Sequence, residues 1–107
     1  MPIIRIDFDD SKVSLDAITQ LSKAAQNIVS KTTNIEDVFV YANSSQIKIN
    51  IAPIEVFIEM SAHKIDNIYT LFENIRSQLS ERKQSSSFLL PINLTIIPMH
   101  WKFDVGL

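Results

Sequence analysis

The residue best placed for chemistry is Pro2, which follows the first methionine in the stretch MPIIRIDF. Methionine is usually cleaved before a small second residue, and its loss leaves Pro2 with a secondary amine at the start of a strand-like run. An α-amino group has an ordinary pKa of about 7.7–8.0, and apolar surroundings lower it by disfavouring the cation. Such an amine is neutral at pH 7 and suits a general base. It would take a proton from a carbon next to a carbonyl while nearby donors hold the developing enolate oxygen. The reaction class is keto–enol or double-bond isomerisation. The same proline also suits a strand start with no chemistry, because its missing N–H costs nothing there.

Several side chains are candidates to assist it by binding substrate. Arg5 carries the planar fork that fits a carboxylate. Strand alternation turns it away from Pro2, toward Asp7 and the acids of neighbouring strands, where an ion pair is its structural role. Lys31, at the end of a helical stretch, and Lys64, at the start of another, are cations near strand ends. Lys31 also suits the negative end of a helix dipole. Trp101 and Phe103, in the tail MHWKFDV, either wall a pocket at a subunit boundary or dock the tail onto the core. His63 and His100 are the only histidines and lack a second ligand at metal spacing, so no metal is expected. With no cysteine, thiolate catalysis and cysteine-bound zinc are excluded. No glycine-rich phosphate loop or nucleophile elbow is present, and no cofactor is expected.

These residues sit on a pattern that occurs twice. Residues 2–8 alternate, with Pro2, Ile4, Ile6 and Phe8 on one face and Ile3, Arg5 and Asp7 on the other. From Ser14, a suitable N-cap, Leu15, Ile18, Leu21, Ala25, Ile28 and Val29 recur at helical spacing. EDVFVYA then reads as a strand closed by NSSQ. A second strand, PIEVFIEM, precedes a helix carrying Ile65, Ile68, Phe72, Ile75 and Leu79, with Ser61 available as its cap, and LPINLTIIP is the last strand. The pseudo-repeats span about residues 2–42 and 53–98, and each opens on a proline. Between them QIKINI alternates, with Ile47, Ile49 and Ile51 on one side, and is expected as an extra short edge strand, paired in a hairpin or with another subunit. The expected fold class is α+β: a tandem β-α-β repeat forming a mainly four-stranded sheet with two helices on one face. Arg5, Asp7, Glu55, Glu59, Asn93 and Thr95, with Phe39, Tyr41, Phe57 and Ile97, fall on the other face. That face meets water or lines a polar interior built by several subunits.

Composition bounds the function. Residues 1–107 suit one domain, with 46% hydrophobic and 21% charged residues. A net charge of −2 argues against nucleic acid, no apolar run approaches the ~20 residues of a membrane span, and no signal peptide is read, so a cytoplasmic location is expected.

A duplicated strand–helix–strand chain with proline after the first methionine resembles the tautomerase superfamily, which includes 4-oxalocrotonate tautomerase (4-OT) and macrophage migration inhibitory factor. MPIIRI, PIEVFIEM and LTIIPM followed by an aromatic tail resemble an uncharacterised bacterial branch of it. The resemblance implies a homotrimer with active sites near the N-terminal prolines, acting on a small carbonyl or enol substrate. Two departures stand out: Met60 and Ser61 occupy positions where that branch carries Gly and Arg, and the tail lacks the tyrosines found there. The alternatives are a ferredoxin-like βαββαβ module that binds a ligand or protein, marked by an antiparallel sheet, and a catalytically silent oligomer of the tautomerase fold.

Overall fold

Strict alternation of side chains builds the two central strands. In the computed structural model, which describes residues 2–85, 90–100 and 106–107, these are β1 (Ile3–Phe8) and β3 (Ile54–Ser61). Ile4, Ile6, Ile54, Val56 and Ile58 are each fully buried on one face. Each such side chain contributes about 1.5–3 kcal/mol by leaving water. Flanking them are β2 (Phe39–Ser44) and β4 (Asn93–Met99), giving the sheet order β2-β1-β3-β4.

Helix α1 (Leu15–Thr33) links β1 to β2, and α2 (Ile68–Ser85) links β3 to β4. Each crossover returns its strand parallel and adjacent to the one before it. The two units then meet antiparallel through β1 and β3, with Ile4 opposite Ile58 and Ile6 opposite Val56. This is the tandem β-α-β arrangement that the periodicity predicts. It is not the antiparallel sheet that the ferredoxin-like alternative requires. Both helices pack Ile18, Ala25, Ile28, Val29, Ile75 and Leu79 into the same core. They run antiparallel, tied by hydrogen bonds from Gln78 Nε2 to Thr32 Oγ1 (2.9 Å) and from Arg82 Nη2 to Asn27 Oδ1 (3.1 Å).

Local chemistry sets the helix ends. Ser14 Oγ accepts from the Ala17 N–H at 3.1 Å, while Val13 before it and Ile18 after it are both buried, as in a hydrophobic staple. Val13 takes the core position that helical spacing assigns to Leu15, which is 74% exposed on the first turn. Removing the cap hydroxyl with Ser14→Ala is expected to cost about 1 kcal/mol. An unchanged urea midpoint would show that the cap contributes nothing. At the other end Asn34 adopts φ 57°, and its N–H donates to the Ser30 carbonyl, a left-handed cap supplied by asparagine in a chain with one glycine.

Two expectations differ from the structure. Helix α2 does not start at Ser61, which stays in β3 opposite Met99 and spends its hydroxyl on His63. A 3-10 turn (Ala62–Lys64) intervenes, and Asn67 becomes the cap, its Oδ1 accepting from the Tyr69 and Thr70 N–H groups at 3.0 and 3.2 Å. Residues 46–51, expected as the extra short edge strand, run as a loop in the single chain. A strand needs a ladder partner, and residues 46–51 pair with neither β2 nor β4, the two edge strands of the sheet.

Candidate functional site

Topology gathers the chemistry-bearing residues at one end of the sheet. There β1 and β2 begin and β3 and β4 end, so Pro2 lies beside the start of β2 and the last residues of β3. Its carbonyl accepts from the Phe39 N–H at 3.2 Å. One step beyond the paired register, its neighbours across the sheet are Val38 and Met60, both buried. Pro2 itself is fully buried and faces the helix side with Ile4 and Ile6. The proline therefore sits in an apolar setting at the edge of the core, where a cation is disfavoured.

Lys31 and Lys64 reach the same end by different routes. Helix α1 delivers Lys31 in its last turn, just before β2, and the 3-10 turn after β3 carries Lys64. Both lysines are exposed, and so stand at the rim rather than against the buried ring. Ser61 and His63 join them, Ser61 Oγ lying 2.6 Å from His63 Nδ1. The Ser-x-His spacing at the end of a strand was the available signal for this pair, and sequence reasoning spent Ser61 on a helix cap instead. Trp101, Phe103 and Met1 lie outside the described residues.

Arg5 is not part of this group. It projects from the opposite, helix-free face, its Nε 3.4 Å from Asp7 Oδ2 and its Nη1 3.3 Å from Glu59 Oε1. Its guanidinium also lies over the Phe57 ring, 4.5 Å from the centroid. Registers place Phe39, Tyr41, Asn43, Glu55, Phe57, Glu59, Asn93, Thr95 and Ile97 on this same face. Phe39 and Tyr41 are 42% and 57% exposed, so a mixed aromatic and acidic surface is left uncovered.

Two clefts lie elsewhere. One of about 670 Å³ runs between the first half of α1 and the last turns of α2, with Leu21, Lys23, Leu79 and Arg82 among its walls. It is at the end where β1 finishes, away from Pro2. Among the described residues no group of three or more His, Cys, Asp or Glu side chains could hold a metal, and no helix is long and apolar enough to cross a membrane.

The finishing end of β1 carries a built electrostatic feature that sequence reasoning missed. Asp9 is buried, and its Oδ1 accepts from the Ser11 hydroxyl at 2.6 Å and the Ser11 N–H at 3.0 Å. These bonds, foremost the hydroxyl's, hold its carboxyl below the ordinary value of 3.8, with Lys48 and Lys12 adding to the effect. A carboxyl depressed in the folded state stabilises the fold above the unfolded value and loses that contribution as pH falls through the folded one. Ser11→Ala is therefore expected to be less stable than the native protein at pH 6, with the gap closing as pH falls below the carboxylate range. Urea unfolding across pH 6 to 2 measures this, and a gap constant with pH would sink it.

The sequence matches no known family model and no curated protein. Its fold matches solved structures across nearly the whole chain. A domain of unknown function from Sebaldella termitidis superposes with a TM-score of 0.71 at 10% identity, covering 100% of this chain and 98% of that one. A fused 4-OT wild-type asymmetric trimer gives 0.70 at 13% identity over 97% and 92%. A macrophage migration inhibitory factor-like protein from Entamoeba histolytica gives 0.65 at 13% identity over 96% and 95%. Element order, the parallel pairing within each β-α-β unit and these superpositions agree: the chain has the fold of the tautomerase superfamily.

Proposed function

We propose that this protein is a cofactor-independent keto–enol tautomerase with Pro2 as its general base, working as a homotrimer on a small carbonyl or enol substrate. One observation carries the reading. Pro2 is fully buried among apolar neighbours at the start of a central strand, at the sheet end that also receives Lys31 and Lys64. The ring nitrogen is the atom bonded to Met1, so removal of Met1 converts that amide into the free secondary amine the chemistry needs.

In the forward direction the nitrogen lone pair takes a proton from the carbon next to the carbonyl. The C–H electrons form the new C=C bond, and the carbonyl π electrons move onto oxygen. A lysine ammonium at the rim, Lys31 or Lys64, steadies that oxygen. The protonated proline returns its proton to oxygen or to another carbon, restoring the neutral amine. Water is consumed at no step. Trp101 and Phe103 would wall the site, and Arg5 would reach substrate only from a neighbouring copy, since within its own chain it is engaged on the opposite face.

The trimer is supported by the shared fold with a solved fused 4-OT trimer and by the uncovered mixed face of the sheet. A second reading, a silent oligomer of this fold, is favoured by the placement of arginine. Arg5 is on the far face, while Arg76 and Arg82 are on α2, Arg76 midway along it and paired with Glu73 and Arg82 in the last turn and bonded to Asn27. Ketonisation of phenylenolpyruvate, compared between the native protein and Pro2→Ala, separates the two. A rate above buffer that Pro2→Ala loses supports the tautomerase, and identical rates support the silent oligomer.

A further inference from the structure

Ser61 ends β3 and opens the 3-10 turn, a position where a serine hydroxyl ordinarily accepts from one of the N–H groups that follow. Ser61 makes no such capping bond, and its Oγ lies 2.6 Å from His63 Nδ1 instead. Sequence spacing alone does not bring the two together. Side chains two apart on a continuing strand stand roughly 6.6 Å from each other, so the contact exists because the chain leaves the ladder after Ser61 and turns. The turn thus forgoes its cap and holds an imidazole in one orientation.

The pair stands on the nitrogen side of Pro2. β1 and β3 run antiparallel with Ile3 opposite Glu59. Pro2 continues that register opposite Met60, and Ser61 comes next, in the direction of the ring nitrogen. Lys64 follows His63 on the same turn, and Lys31 arrives in the last turn of α1. Among the described residues neither lysine pairs with an acid, and His63 Nε2 has no partner. His63 is exposed, so that nitrogen is accessible to a ligand at this end of the sheet.

We infer that His63 is a catalytic residue of the reaction proposed above, donating from Nε2 to the oxygen on which enolate charge develops, with Ser61 as its positioning residue. The Ser61 hydroxyl donates to Nδ1, which keeps the ring's own proton on Nε2. As Pro2 takes the proton from carbon, the carbonyl π electrons move onto oxygen, and the hydrogen bond from Nε2 strengthens with the charge it meets. No proton leaves the imidazole, so proline remains the group that carries the proton out and back. A rim lysine supplies charge at that oxygen and His63 supplies direction. This rests on Pro2 as the general base and names the donor that works with it.

Phenylenolpyruvate ketonisation by protein lacking Met1, with nitrogen NMR of the imidazole, tests it on the native chain, His63→Ala, Ser61→Ala, Ser61→Thr and Pro2→Ala. His63→Ala is expected to lower kcat at least tenfold with KM little changed, short of the roughly 10²–10³-fold of an enclosed oxyanion donor, because His63 stands open to water. Ser61→Ala is expected to lose part of the same kcat and to turn neutral His63 from the Nε2–H tautomer into a mixture of both. Ser61→Thr, which keeps the hydroxyl, is expected to recover both readouts. A merely structural serine would leave the tautomer unmoved. Equal turnover by native protein and His63→Ala, with Pro2→Ala slow, overturns the role of His63 and leaves the tautomerase standing. A neutral ring carrying its proton on Nδ1 in the native protein overturns the role of Ser61. A native protein without turnover overturns both the inference and the reading it rests on.

Discussion

Ile58→Ala is expected to destabilise the fold by about 2–5 kcal/mol, the largest effect of any single core truncation proposed for this chain. Ile58 is fully buried at the middle of β3, with Ile4 opposite it on β1 and Ile96 on β4. It stands where the two β-α-β units meet, so its loss opens a cavity between units whose strands cannot close up without breaking both ladders. Against a total stability of about 5–15 kcal/mol for a domain of this size, the loss removes a large share. Urea unfolding at one fixed protein concentration measures it, since assembly would otherwise shift the midpoint. Ile49→Ala, at an exposed position, is the control and is expected to stay within about 0.5 kcal/mol of native under dissociating dilution. A loss below about 1 kcal/mol at Ile58 would mean that the core is not centred where the two units meet.

Pro2→Ala is expected to lower kcat for ketonisation of phenylenolpyruvate by about two to four orders of magnitude, the usual contribution of a positioned acid–base group. Alanine preserves methionine removal and leaves a primary amine on a more mobile N-terminus, so both the base strength and its position change. The loss should fall on kcat, with KM little changed, because substrate is held by groups other than the proline. A drop in KM affinity at constant kcat would instead mark Pro2 as a wall of the pocket. The melting temperature should move little, since Pro2 offers the sheet no N–H donor and keeps its carbonyl bond to Phe39 through the backbone.

What could be read before folding was local. Alternation in residues 2–8 and 54–60 places Ile4, Ile6, Val56 and Ile58 on one face and Arg5, Glu55 and Glu59 on the other, because a strand turns successive side chains to opposite sides. That parity alone separated Arg5 from Pro2. Serine at position 14 marked the start of α1 for the same reason: its hydroxyl satisfies a backbone donor wherever the helix packs. The antiparallel joining of the two units was not legible, since it depends on pairings between strands about fifty residues apart. The loop at 46–51 failed differently. Its Ile-x-Ile-x-Ile alternation is a strand pattern, yet in the single chain residues 46–51 pair with neither of the two edge strands, β2 and β4. Lys48 was missed because nothing in its neighbours announces that Asp9 and Asp10, some forty positions earlier, lie beneath it.

Three of the candidate residues could be placed from the sequence, and the enclosure of Pro2 could not. Strand starts and helix ends put Pro2, Lys31 and Lys64 at one end of the sheet, as their positions in the repeat imply. The complete burial of Pro2 was not foreseeable, because it depends on Val38 and Met60 arriving from two other strands. That burial gives the amine an apolar setting and makes the state of Met1 decisive.

The most direct measurement therefore compares one protein in two forms, with Met1 retained and with Met1 removed, each verified by intact mass, in phenylenolpyruvate ketonisation. The account predicts turnover above the buffer rate only in the form lacking Met1. Equal rates in the two forms, or no turnover in the form lacking Met1, would contradict it.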